Sequence, residues 1–209
     1  MDLITDAGGI SIFLPLDVTN INSVKAMVEH TVNRYGTIDI LVNNAAAFPM
    51  GSVEDATEDE WIHVMRTNVI GSANCIKEVT PVFRKSGGGS IINIASVSGF
   101  MAEPEAVPYN ASKGAVMQLT RCSAMDLADD HIRVNGVCPG QIDTAGATQV
   151  IIDRGLDVVE ADKERAAEAL MKRMGRPEEI ASVVLFLASE DASFMTGAQI
   201  VMDGGATID

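Results

Sequence analysis

Short runs rich in Val and Ile, recurring between longer segments of helical periodicity, constrain this chain more than any other feature. Residues 10–16 (ISIFLPL), 38–42 (IDILV), 90–95 (SIINIA), 132–138 (IRVNGVC) and 199–202 (QIVM) read as five strands. Most are apolar at successive positions, the pattern of a sheet covered on both faces. Between them, Val24, Met27, Val28, Thr31 and Val32 keep i, i+3, i+4 spacing through residues 21–35, and Gly36 supplies the stop. Residues 57–60 (TEDE) spell a capping box that opens a helix through Trp61, Val64, Met65 and Val69 to about residue 79. Pro108 sets up a helix over 109–129, residues 147–174 mix helix and loop, and Pro177 opens a last helix through Ile180, Val183, Val184 and Leu187. This alternation predicts an α/β fold, a doubly wound parallel sheet of Rossmann-like type, in a single domain over residues 1–209.

Composition narrows the partners. A chain of 209 residues, 47% apolar and 4% aromatic, has an aliphatic core of its own. Twenty-nine acids against fifteen bases give a net charge of −14, which repels phosphate backbones and anionic lipid. Nucleic acid and membrane are therefore not expected as partners. The three cysteines, Cys75, Cys122 and Cys138, are odd in number and far apart, which suits a reducing, cytoplasmic setting and no metal site. His30, His63 and His131 are equally scattered. The first residues show neither the basic start nor the apolar run of a signal peptide.

The chemistry gathers around residues 107–116 (VPYNASKGAV). Tyr109 and Lys113 are four apart on one predicted helix, so their side chains leave the same face. An ammonium beside a phenol stabilises the phenolate and is expected to bring the tyrosine below its usual value of about 10. Such a phenol can exchange a proton with an alcohol–carbonyl couple. A tyrosine and lysine at this spacing also occur by chance in many helices. The pair gains weight from Ser96, just past the strand 90–95, where a parallel sheet opens its ligand crevice. The strand ends at 43–46 (NNAA) and 138–140 (CPG) bring small and polar residues to the same edge.

Taken together, these pieces resemble the short-chain dehydrogenase/reductases that use NAD or NADP. The resemblance runs from 16–19 (LDVT) through 43–46 (NNAA), Asn68, 94–99 (IASVSG), 109–115 (YNASKGA), 138–144 (CPGQIDT) and 175–181 (GRPEEIA) to 202–205 (MDGG). It implies Tyr109 as general acid/base and Ser96 as the group that polarises the substrate oxygen. It also implies Lys113 on the nicotinamide ribose and Asn68 as holder of a relay water. Cofactor contacts would come from Asp17, Asn43 and Ala45 on the adenosine side and from Pro139, Gly140, Ile142 and Thr144 around the nicotinamide. A blander reading has Asp17 as a helix cap, Asn68 as a polar residue bending its helix, and Asn43 and Asn44 as stitches between strand ends. Gly204 and Gly205 fit a tight turn. A homotetramer or homodimer is the implied assembly, through the helix 109–129 and the last helix with its strand.

One departure stands out. The family pattern opens with a strand, a glycine-rich turn T-G-x-x-x-G-x-G, a helix and a second strand, and none of these occurs in residues 1–209. The chain thus reads as N-terminally truncated, without its first β-α-β unit. That turn brings backbone N–H groups to the cofactor pyrophosphate, so weak binding of NAD or NADP is expected. In the family's strand order the missing strands lie between 10–16 and 38–42, a gap of ~14 Å. The expected remedy is that strand 10–16 moves in beside 38–42. Ala46 stands where glycine is commoner and matters only if that position needs positive φ.

Residues 143–168 hold Asp143, Asp153, Asp157, Glu160, Asp162, Glu164 and Glu168 against Arg154, Lys163 and Arg165, while 47–50 (AFPM) and 100–103 (FMAE) are mainly apolar. A small, neutral alcohol or ketone is the expected substrate, and an acyl group on an acidic carrier protein is disfavoured. Three readings stay open from the residues: an oxidoreductase, a folded inactive relative serving as an oligomerising subunit, and a chain started downstream of its natural first codon.

Overall fold

The computed structural model describes residues 2–208. Its frame is a four-stranded parallel sheet in the order β1 (Ile40–Asn43), β2 (Gly89–Ile94), β3 (Ile132–Pro139) and β4 (Gln199–Met202). Around it lie α1 (Asp2–Asp6), α2 (Ile21–Tyr35), α3 (Glu58–Val64), α4 (Gly71–Ser86), α5 (Val107–Leu127), α6 (Ala145–Asp153), α7 (Val158–Glu168) and α8 (Pro177–Ala188). Neighbouring residues of β2 show why its run is apolar throughout. Ile91 packs with Val28, Val79, Phe83 and Leu127 from α2, α4 and α5, whereas Ile92 packs with Val137 and Leu187 against α8. The sheet is thus covered on both faces, and the doubly wound α/β expectation holds. Burying each of these aliphatic side chains stabilises the fold by about 1.5–3 kcal/mol.

Local signals set the helix ends. Asn20 caps α2 by accepting from the N–H groups of Asn22 and Ser23, and Gly36 closes it at φ 89°. The cap is therefore Asn20, not Asp17. Thr57 and Glu60 form the capping box of α3. Beyond Val64 the helix does not stop at residue 79. It passes through a π-helical stretch, Met65–Ile70, and on past Pro81 to Ser86, because the fully buried Phe83 anchors its last turn. Gly204 and Gly205 sit at φ 63° and 88° in a turn whose N–H groups at Gly205 and Thr207 bond Asp203.

The expected strand at 10–16 is absent, and it does not move in beside β1. Residues 9–17 carry no regular structure, with Ile10 75% and Phe13 73% exposed. A strand is stable only when its backbone is paired, and Pro15 lacks one donor. Downstream, Asn74 holds the Val18 carbonyl at 3.0 Å, and the Asp17 carboxylate accepts from Thr19, which turns the chain into α2. Leu16 and Val18 consequently face Leu41 and Ala45 across a hollow of about 270 Å³.

Candidate active site

Ser96, Tyr109 and Lys113 meet at the carboxyl edge of the sheet. Beyond β2 the chain makes a single 3₁₀ turn, Val97–Gly99, capped by the Ser96 hydroxyl. That turn presses on α5: a Cβ at Gly99 would lie 2.6 Å from the Met117 sulfur and 3.0 Å from the Lys113 carbonyl carbon. Only a bare glycine permits this approach, which sets Ser96 beside the first turns of α5. Tyr109 lies in the first turn, its ring packed on Phe48 with centroids 4.0 Å apart. One turn later, the Lys113 ammonium stands 5.5 Å from the Tyr109 ring centroid and donates to the Ile94 carbonyl at 2.8 Å. The shared face foreseen from the spacing is present.

These residues line a cleft of about 720 Å³ together with Pro139, Gly140, Ile142 and Thr144. Its remaining wall is largely apolar, from Ile94, Ala95 and the α8 residues Pro177, Ile180 and Val184. Ile142 is held by a bridge to Gly175, and its carbonyl accepts from Arg165. The Thr144 hydroxyl caps α6 by accepting from Ala147.

The electrostatics correct one expectation. The Tyr109 phenol is not made more acidic; burial pushes it up to about 12, Ser96 partly opposes this, and the Glu103 carboxylate adds to the rise. Lys113, nearly all buried, has its ammonium pulled down to about 8 by loss of solvent. A charge that is itself destabilised, 5.5 Å from the ring centroid, does not overcome desolvation of the phenol.

Asn68 lies behind the cleft, within the π-helical stretch and 1% exposed. Its amide accepts from Ala47 N–H at 2.7 Å and donates to the Ala47 carbonyl at 3.0 Å and to Ser112 at 2.9 Å. The side chain therefore staples the 44–50 loop to α5, which leaves no amide proton free for a water. Asn68→Ala is expected to lower the unfolding free energy by about 3 kcal/mol, read by urea titration, because buried partners on both sides lose their bonds.

The cofactor candidates on the β1 side divide. Asn43 and Ala45 line the hollow opposite Leu16, and Asn43 also donates to Asn93 at 2.8 Å, the stitch foreseen for it. Asp17 lines neither space; its carboxylate is exposed and held below the usual range by the Thr19 hydroxyl and N–H. Asn44 and Ala46 face the cleft with Tyr109. Asn44 borders the hollow as well, so the two spaces meet at this residue, whereas Ala46 borders the cleft alone. Positive φ among the described non-glycine residues occurs at Glu105, His131 and Lys172, so Ala46 is unstrained. Two further residues escaped the sequence reading, Ser98 and Glu103, which sit next to Ser96. Among the described residues there is no cluster of metal-ligating side chains and no helix long and apolar enough to cross a membrane.

Comparison with known proteins fits this geometry. A family profile described as enoyl-(acyl carrier protein) reductase matches residues 2–207. The trans-4-hydroxycyclohexanecarboxylate dehydrogenase of Sinomonas cyclohexanicum is 41% identical over 198 residues, 95% of this chain and 71% of that protein. The crystal structure of a putative short-chain dehydrogenase/reductase from Burkholderia xenovorans superposes with a TM-score of 0.96 at 37% identity, covering 100% of this chain and 80% of that one. The structure of ElxO with NADP bound gives a TM-score of 0.85 at 30% identity, over 93% of this chain and 77% of that one.

Proposed function

The chain belongs to the short-chain dehydrogenase/reductase family and is an NAD(P)-dependent oxidoreductase, and we propose that it interconverts a small, neutral alcohol and its ketone. The observation that carries this reading is the convergence of Ser96, Tyr109 and Lys113 on one largely apolar cleft. In the oxidative direction Ser96 holds the alcohol oxygen and Tyr109 takes its proton. In the reductive direction the phenol, protonated at neutral pH, returns that proton to the carbonyl oxygen.

The donor set fits the nicotinamide half of a dinucleotide. Lys113 spends one of its three ammonium protons on Ile94, which leaves two for a ribose diol beside the Tyr109 hydroxyl. Asn44 and the 139–144 segment offer polar groups for a carboxamide in the same cleft. The bound ring supplies the hydride acceptor or donor. Asn43 and Ala45 flank an adjoining hollow that suits the adenosine side, whereas Asp17 is tied to Thr19.

Charge favours a neutral substrate. The net charge is −14, and residues 143–168 pair only two of their acids with their own bases, Glu160 with Lys163 and Asp162 with Arg165, while Arg154 pairs with Glu105 outside the segment. Exposed Met125 on α5 and Leu185 on α8, 82% and 72% accessible, support the homotetramer or homodimer, which light scattering measures. The test of function titrates NADH and NADPH fluorescence and then compares turnover of cyclohexanol, its 4-carboxylate and a carrier-bound 3-oxoacyl group. Cyclohexanol is expected to turn over fastest. Faster turnover of the carrier-bound group refutes the neutral substrate, and absence of both cofactor binding and turnover favours the inactive relative.

A further inference from the structure

Beside the reacting groups, the structure holds a directed line of hydroxyls. The Ser98 hydroxyl donates to the Glu103 carboxylate at 2.8 Å, which commits its only proton. The Ser96 and Ser98 oxygens are 2.9 Å apart, so in that contact Ser98 can only accept and Ser96 must donate. Ser96 in turn lines the same cleft as the Tyr109 phenol. Both serines are buried, at 8% and 4% accessible, and water does not compete for these bonds. The acid is held in place by its surroundings: Asn110 donates to the Glu103 carbonyl at 3.2 Å, and Gly51 donates to the Glu105 carbonyl at 2.6 Å.

On this basis, and resting on the reading of Tyr109 as the acid/base, we propose that Glu103 is a positioning residue for the proton step: acting through Ser98, it sets the direction in which Ser96 points its proton. With Glu103 ionised the line runs from Tyr109 to Ser96 to Ser98 to the carboxylate. The Ser96 proton is then shared with Ser98, which weakens the help Ser96 can give a phenolate and favours the neutral phenol. A proton passed from Tyr109 down the line reverses it. Each oxygen passes its own proton one place and receives another, the Tyr109 O–H bond breaks as the Glu103 O–H bond forms, and no electrons move. Ser96 then donates to the Tyr109 oxygen. Glu103 is only partly buried, so the far end of the line can exchange with solvent. The other ionisable groups facing this cluster are Lys113 of α5 and Cys138 of β3; the α8 wall is uncharged.

The chain has two tyrosines, Tyr35 and Tyr109, so a Tyr35→Phe background lets phenolate absorbance report Tyr109 alone, without turnover. In that background Glu103→Gln is expected to lower the Tyr109 ionisation midpoint by about 1 pH unit, and Ser98→Ala by about half a unit. Both substitutions are nearly isosteric, and a melting curve for each checks the fold. An unmoved midpoint in S98A shows that Glu103 acts by charge alone and overturns the proposal, as does an unmoved midpoint in E103Q. Where turnover exists, the pH profile of alcohol oxidation moves down with the midpoint. Shifted midpoints in a protein that oxidises no alcohol refute the alcohol–ketone reading and leave the hydroxyl line standing.

Discussion

Replacing Tyr109 with phenylalanine lowers kcat/KM for alcohol oxidation by about 1000-fold, the range expected when a general acid/base is removed. The ring that packs on Phe48 at 4.0 Å remains, so the melting temperature stays close to that of the parent. The loss falls on kcat more than on cofactor affinity, because Lys113 and the 139–144 segment are untouched. The pH dependence sharpens the test. A phenol pushed up to about 12 is neutral across the working range, so the reactive phenolate grows tenfold per pH unit. Wild-type oxidation therefore climbs steadily with pH, whereas reduction, which uses the neutral phenol, stays flat over the same range. Y109F loses the climb as well as the rate. Steady-state assays between pH 6 and about 10 in both directions measure this. A variant with residual activity within tenfold of the parent, and an unchanged slope, removes Tyr109 from the proton step.

How much of this was legible in the sequence depends on whether the signal is local. Capping at Thr57, the stop at Gly36 and the apolar stretches of β2 and β3 are set within a few residues, and each reads correctly. Residues 10–16 look as strand-like as β2, but a strand needs a partner, and pairing is not encoded in the segment itself. The π-helical stretch around Asn68 is a tertiary compromise: the helix opens where its amide reaches Ala47 and Ser112, and no local code marks that position. Convergence of Ser96, Tyr109 and Lys113 was legible because parallel strand ends share one edge. The sign of the Tyr109 shift was not, since it depends on the depth of burial and on Glu103, and neither can be read from a spacing of four. Glu103 stands in a mainly apolar run, and nothing local marks it. Its bond to Ser98 forms because Gly99 lets the 97–99 turn fold onto α5.

Lys113→Met is expected to cost about 100-fold or more in kcat/KM, since a thioether cannot donate to a ribose or to the reacting groups. Its effect on stability has a direction that depends on pH. A lysine pulled down to about 8 in the folded protein, against 10.5 when free, binds fewer protons folded than unfolded between those values. Unfolding therefore takes up protons in that window, and folded stability contributed by this group rises as pH increases through it. Below pH 8 the buried ammonium destabilises the fold by about 3 kcal/mol, and that penalty fades as pH approaches 10.5. Methionine removes the penalty at every pH, and it also strips the Ile94 carbonyl of its donor, a loss independent of pH. Tyr109 and Cys138, pushed up to about 12 and 11, lose stability as pH rises past their unfolded values. Tyr109 is common to parent and variant and cancels in the difference, whereas Cys138 feels the Lys113 charge and cancels only in part. Urea unfolding at pH 7 and 10.5 should accordingly show the parent gaining about 3 kcal/mol relative to K113M. A difference that stays flat shows that Lys113 is not held as a buried charge. If it is so held, the unspent protons of the ammonium call for a partner that the described residues do not supply, and added NADH should raise the melting temperature of the parent more than that of K113M.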